Sequence, residues 1–62
     1  VGEMVAWQMF QESYAALVKG GELWVIGNRH LDYQNKLTRL FGHCELIAMN
    51  KKFMVLKATK RR

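Results

Sequence analysis

An α/β fold with the element order helix, strand, helix, strand, strand is predicted by three features of the sequence. Apolar residues recur at helical spacing in two stretches, each closed by glycine. An unbroken apolar run, Leu23-Trp24-Val25-Ile26, falls between them, and two short β-type runs flank Asn50-Lys51-Lys52 as a C-terminal antiparallel hairpin. Strands that alternate with helices belong to α/β architectures. At 62 residues, 50% of them hydrophobic, the chain makes one small domain spanning residues 1–62.

The first helix is read over Met4 to Val18. Trp7, Phe10, Tyr14, Leu17 and Val18 form its apolar face, and Gln8, Gln11, Glu12 and Lys19 collect opposite. Gly20 and Gly21 then end it. The run Leu23 to Ile26 lacks alternation, which predicts a strand covered on both faces. Gly27 and Asn28 break that strand. Asp32 is placed as the cap of a second helix whose apolar positions are Tyr33, Leu37, Leu40 and Phe41, and Gly42 stops it.

The closing strands are read as His43 to Met49 and Phe53 to Thr59. In the latter, Phe53 and Val55 fall on one face and Met54, Leu56 and Ala58 on the other, so it too has two apolar sides. Two helices are too few to cover both faces of such a sheet, so the sequence reads as a piece of something larger. The strand at Leu23 to Ile26 is expected to lie at an open edge. Such a strand invites self-association, and a proline at Val25 is expected to obstruct it.

The net charge of +5 is concentrated at one end. Residues 1–50 carry Lys19, Arg29, Lys36 and Arg39 against Glu3, Glu12, Glu22, Asp32 and Glu45. Beyond them come Lys51, Lys52, Lys57, Lys60, Arg61 and Arg62 with no acid. Six clustered cations fit a polyanion such as RNA, or else a solvated terminus. A second candidate is Asn28-Arg29-His30, just past the C-terminal end of a buried strand, where α/β sheets hold their ligands. These three polar side chains either line a substrate pocket or form a polar connection.

Several function classes are excluded. The single cysteine, Cys44, forbids an internal disulfide and a four-cysteine zinc site, and a reducing cytoplasm is the default compartment. His30, His43 and Cys44 lack metal-ligand spacing, and His43 and Cys44, as neighbours on a strand, point to opposite faces and make no dyad. Gly20-Gly21 leads from helix into strand, the reverse of a phosphate-binding turn. Trp7 and Trp24 invite a base-stacking reading, but each lies inside an apolar stripe, which favours a place in the core. No apolar run is long enough to span a bilayer, so no membrane partner is expected.

The string Gly21-Glu22-Leu23-Trp24-Val25-Ile26-Gly27-Asn28-Arg29-His30-Leu31-Asp32-Tyr33, followed by Lys36-Leu37, Leu40-Phe41-Gly42 and Asn50-Lys51-Lys52-Phe53, resembles the C-terminal end of bacterial ribosomal RNA guanine-N2 methyltransferases. The likeness runs from about Val5 to Lys60 and is nearer the large-subunit type than the small-subunit one. It implies the C-terminal part of a Rossmann-like class I methyltransferase fold, with the last strand inserted antiparallel between the other two. It also implies transfer of a methyl group from S-adenosylmethionine to a guanine of ribosomal RNA, 23S rather than 16S, by the complete enzyme.

The family's glycine-rich cofactor motif and its proline-containing catalytic motif have no counterpart here, so no catalytic residue and no cofactor is expected within these residues. Asn28, Arg29 and His30 match the family and would face the substrate side. The expected role is therefore to complete the sheet and supply part of the RNA-facing rim, without activity alone. The alternatives are a small basic RNA-binding module and a structural module that pairs through its open strand.

Overall fold

Five elements make up the computed structural model, which describes residues 2–61: α1 (Gly2–Ala16), β1 (Glu22–Asn28), α2 (Tyr33–Phe41), β2 (Glu45–Met49) and β3 (Phe53–Thr59). The sheet order is β1-β3-β2, and β3 runs antiparallel to both neighbours. The element order, the hairpin and the inserted last strand agree with the sequence expectation.

The core forms where the periodic apolar positions of the helices meet one face of β3. Leu37 and Phe41 of α2, Ala6 and Phe10 of α1, and Met54, Leu56 and Ala58 of β3 are buried together. α1 packs on α2, and α2 packs on β3. Two edge-to-face ring pairs fasten the layers, Phe10 on Tyr33 at 5.1 Å and Tyr14 on Phe41 at 4.9 Å. Tyr33 also packs against the sheet at Gly27, where an added Cβ would come within 2.8 Å of two of its ring carbons. Only glycine leaves that space.

Helix α2 stops at Gly42, whose φ of 86° is the left-handed conformation that glycine adopts without strain. Its amide donates to the Thr38 carbonyl. Asp32 stands at the start of the helix but makes no capping bond with its side chain. Its carboxylate instead accepts from Asn35 Nδ2 at 2.8 Å and sits 3.9 Å from Lys36 Nζ.

Four expectations are corrected. The first helix runs from Gly2 to Ala16, and Val18, beyond its end, is 76% exposed. The chain turns there because the Gly20 amide donates to the Lys60 carbonyl and the Lys60 amide to that of Gly21, which ties the turn to the far end of β3. β1 continues through Gly27 to Asn28, since the ladder with β3 extends to the pair Asn28 and Phe53. β2 begins at Glu45, opposite Lys57, because His43 and Cys44 are used in the connection from α2.

The fourth correction concerns cover: only one face of the sheet is buried. Along β1, Leu23 and Val25 turn toward the helices, whereas Trp24 is 53% and Ile26 73% exposed. Both helices pack on the same side, so Trp24, Ile26, Phe53 and Val55 share the other face, which has no second layer among the described residues. β1 and β2 are the sheet's two edges. No helix among the described residues is long and apolar enough to cross a membrane.

Candidate nucleic-acid interface

Two polar turns that are distant in sequence meet at one end of the sheet. The strand pairing sets Asn28 opposite Phe53, and the Arg29 amide donates to the Lys52 carbonyl at 3.0 Å. The connection after β1 therefore lies directly beside the β2–β3 turn. Both turns are built in the same way. Asn28 Oδ1 accepts the His30 amide at 2.9 Å, and Asn50 Oδ1 accepts the amides of Lys52 and Phe53 at 2.8 and 2.7 Å. An asparagine side chain that takes the amide two residues on holds a tight turn without a proline.

Arg29, His30, Lys51 and Lys52 are all exposed at this end. Beside them, the Phe53 ring is 50% exposed and lines two open hollows. One, of about 360 Å³, is formed with Asn50, Lys51 and Lys52. The other, of about 190 Å³, continues along Ala48, Met49, Asn50 and Val55 onto the bare face of the sheet.

The structure disperses the five of these six cations that lie within the described residues. Lys51 and Lys52 join Arg29 and His30. Lys57 lies mid-strand on the bare face, 3.8 Å from Glu22 and 3.7 Å from Glu45, with its ammonium 5.7 Å from the centre of the Trp24 ring. Lys60 stands roughly 26 Å from Lys52 at ~3.3 Å per strand residue. Its Nζ donates to the Tyr14 carbonyl at 2.8 Å and lies over the Tyr14 ring. Arg61 is exposed at that same far end, and Arg62 lies outside the described residues.

Neither tryptophan is buried as the sequence suggests. Trp7 is half-buried with the Arg39 guanidinium 5.9 Å from its ring centre, and the Trp24 indole donates to Glu22 on the bare face. His43 and Cys44 form no reactive pair. Both His43 ring nitrogens are shut away from solvent without a partner. Burial, and secondarily the Glu45 carboxylate, push the Cys44 thiol above its ordinary pKa, which leaves it a weak nucleophile. Among the described residues no group of histidine, cysteine and acidic side chains is placed to hold a metal.

Phe53 is the member of this cluster that sequence reasoning missed as a surface feature. Its position as the first residue after a polar turn was the available signal, since the residue at a strand's end has no neighbour beyond it to cover its ring.

Comparison with known proteins matches residues 1–57 to the family model described as methyltransferase small domain. Curated relatives bearing the name ribosomal RNA large subunit methyltransferase G are similar over nearly the whole chain. That of Aeromonas hydrophila is 56% identical over 61 residues, 98% of this chain and 16% of the relative. That of Ectopseudomonas mendocina is 62% identical over 60 residues, 97% of this chain and 16% of the relative. That of Klebsiella pneumoniae is 56% identical over all 62 residues, again 16% of the relative. The chain thus spans about a sixth of the length of these relatives.

Proposed function

The chain belongs to the methyltransferase small domain family, and from that premise we propose that it is the C-terminal segment of an enzyme that methylates a guanine of large-subunit ribosomal RNA. Its work there is to complete the Rossmann-like sheet and to carry part of the RNA-facing rim, in a cytoplasmic enzyme. One observation supports this reading above the others. A chain that aligns along nearly its whole length with 16% of its relatives carries a sheet with one bare apolar face and an open β1 edge.

S-adenosylmethionine would supply the methyl group to the complete enzyme, but the described residues do not fit it. The one connection here from a strand into a helix, residues 29–32, has no glycine, and the Asn28 oxygen that faces it is taken by the His30 amide. Its carboxylate, Asp32, is occupied by Asn35 and Lys36. What these residues do is place Arg29 and His30 at the end of β1, where substrate meets an α/β sheet.

The test is a chimera: the complete Aeromonas hydrophila relative with its matching segment replaced by this chain, expressed in cells that lack the native enzyme. Digestion of the large-subunit RNA and mass spectrometry of its nucleosides should show methylguanine restored. A folded chimera that leaves the guanine unmodified would refute the assignment.

A further inference from the structure

Three cations converge at the end of the sheet without a local counter-charge. Among the described residues Arg29, Lys51 and Lys52 make no ion pair, and the acids nearest them along the chain are engaged elsewhere, Asp32 with Asn35 and Lys36 and Glu45 with Lys57. Lys57 and Lys60, by contrast, are taken up by Glu22 and Glu45 and by the Tyr14 carbonyl. The cationic turns are pre-formed by the asparagine bonds and tied to each other through the Arg29 amide. Little backbone freedom is left to lose when an anion binds. Between the cations and the bare sheet face stands one half-exposed aromatic ring, Phe53.

We propose that this end of the sheet is a grip for single-stranded RNA, in which Arg29, Lys51 and Lys52 contact neighbouring phosphates and Phe53 stacks on one unpaired base. The proposal rests on the methyltransferase reading above and names the part of the segment that meets the RNA. A single strand is specified because a stacking ring is useful only where a base has left its helix. In duplex RNA the bases are stacked on one another and the deep major groove excludes side chains. The paired turns also explain why two asparagines fix this end. A cationic loop free to move would contact phosphate without presenting Phe53 to the adjoining base.

Fluorescence anisotropy of the chimera with a labelled single-stranded oligonucleotide and with a matched RNA hairpin stem, between 50 and 200 mM salt, tests the proposal. Three phosphate contacts on a single strand contribute a slope of about −2.1 in log affinity against log salt, or an affinity loss on the order of 18-fold over that range. The triple variant Arg29→Ala, Lys51→Ala and Lys52→Ala should lose that contribution. Phe53→Ala should weaken single-strand binding about tenfold with the salt slope unchanged and the stem unaffected, and Phe53→Tyr should retain the parent affinity. Lys60→Ala with Arg61→Ala should alter neither quantity. Arg29, Lys51, Lys52, Phe53 and Arg61 are exposed and Lys60 is half-buried against Tyr14, so circular dichroism checks that each variant folds.

If the triple variant keeps the parent slope while Lys60→Ala with Arg61→Ala removes it, the grip is overturned, yet the methyltransferase reading stands as long as the chimera methylates. A chimera that binds RNA through these residues and methylates nothing sinks the functional reading and leaves the grip in place. A chimera that methylates but binds single strand and stem equally, with Phe53→Ala silent, removes the base from the proposal and overturns it.

Discussion

At the scale of single residues, environment decides what each side chain does. His43 shows this plainly: its two ring nitrogens are enclosed without a hydrogen-bond partner. Cys44 is similarly disarmed. Because burial and then Glu45 raise its pKa, the folded state holds the thiol proton more tightly than the unfolded chain does. Its contribution to stability is therefore complete below the ordinary thiol pKa and is lost as pH rises through the higher folded value. Iodoacetamide at pH 8 should alkylate Cys44 more slowly than it does a peptide thiol, with the rate still climbing above pH 9. Glu45→Gln should move that profile only part of the way down, since burial is the larger cause. A rate equal to that of the peptide at pH 8 would show the thiol to be open.

At the scale of elements, the edge of β1 has a definite polarity. The Arg29 amide bonds Lys52 and the Lys60 amide bonds Gly21, so in this antiparallel ladder the residues at odd positions of β1 face β3. The amides of Trp24 and Ile26 point out to the open edge. A proline at Val25 would thus break the ladder from within, contrary to the sequence expectation, whereas Ile26→Pro removes an outward donor. The isolated chain should associate through β1 as a two-fold dimer whose sedimentation coefficient rises with concentration, and Ile26→Pro should hold it monomeric with the fold retained. An unsubstituted chain that stays monomeric at hundreds of micromolar would contradict this.

The same elements mark what could be read from sequence. Leu37, Phe41 and the alternation of Met54, Leu56 and Ala58 were legible because periodicity reports directly on a buried face. Trp24 and Ile26 were not, since a two-sided apolar run states that both faces want cover, but not which cover lies within these residues. Likewise Asn28-Arg29-His30 and Lys51-Lys52 could each be picked out as candidates. Only the register of β1 on β3 brings them together and sends Lys60 to the opposite end.

At the scale of the whole molecule, the bare face, the open edge and the family membership are what the proposed reading, a segment whose sheet continues beyond it, would account for together. Edge-strand donors next to exposed tryptophan and isoleucine side chains are a liability in a free-standing domain and an attachment in a larger one. Amide hydrogen exchange at Trp24 and Ile26 tests this most directly. In the isolated chain, kept dilute enough to be monomeric, both amides should exchange at nearly the rate of an unstructured peptide while Val25 is protected by its bond to β3. In the complete chimera both should become protected by at least about 100-fold, as expected for bonds to a neighbouring strand whose opening requires sub-global unfolding. Amides at Trp24 and Ile26 that exchange equally fast in the isolated chain and in the complete enzyme would show that nothing pairs with this edge, and would contradict the placement of the segment within a larger sheet.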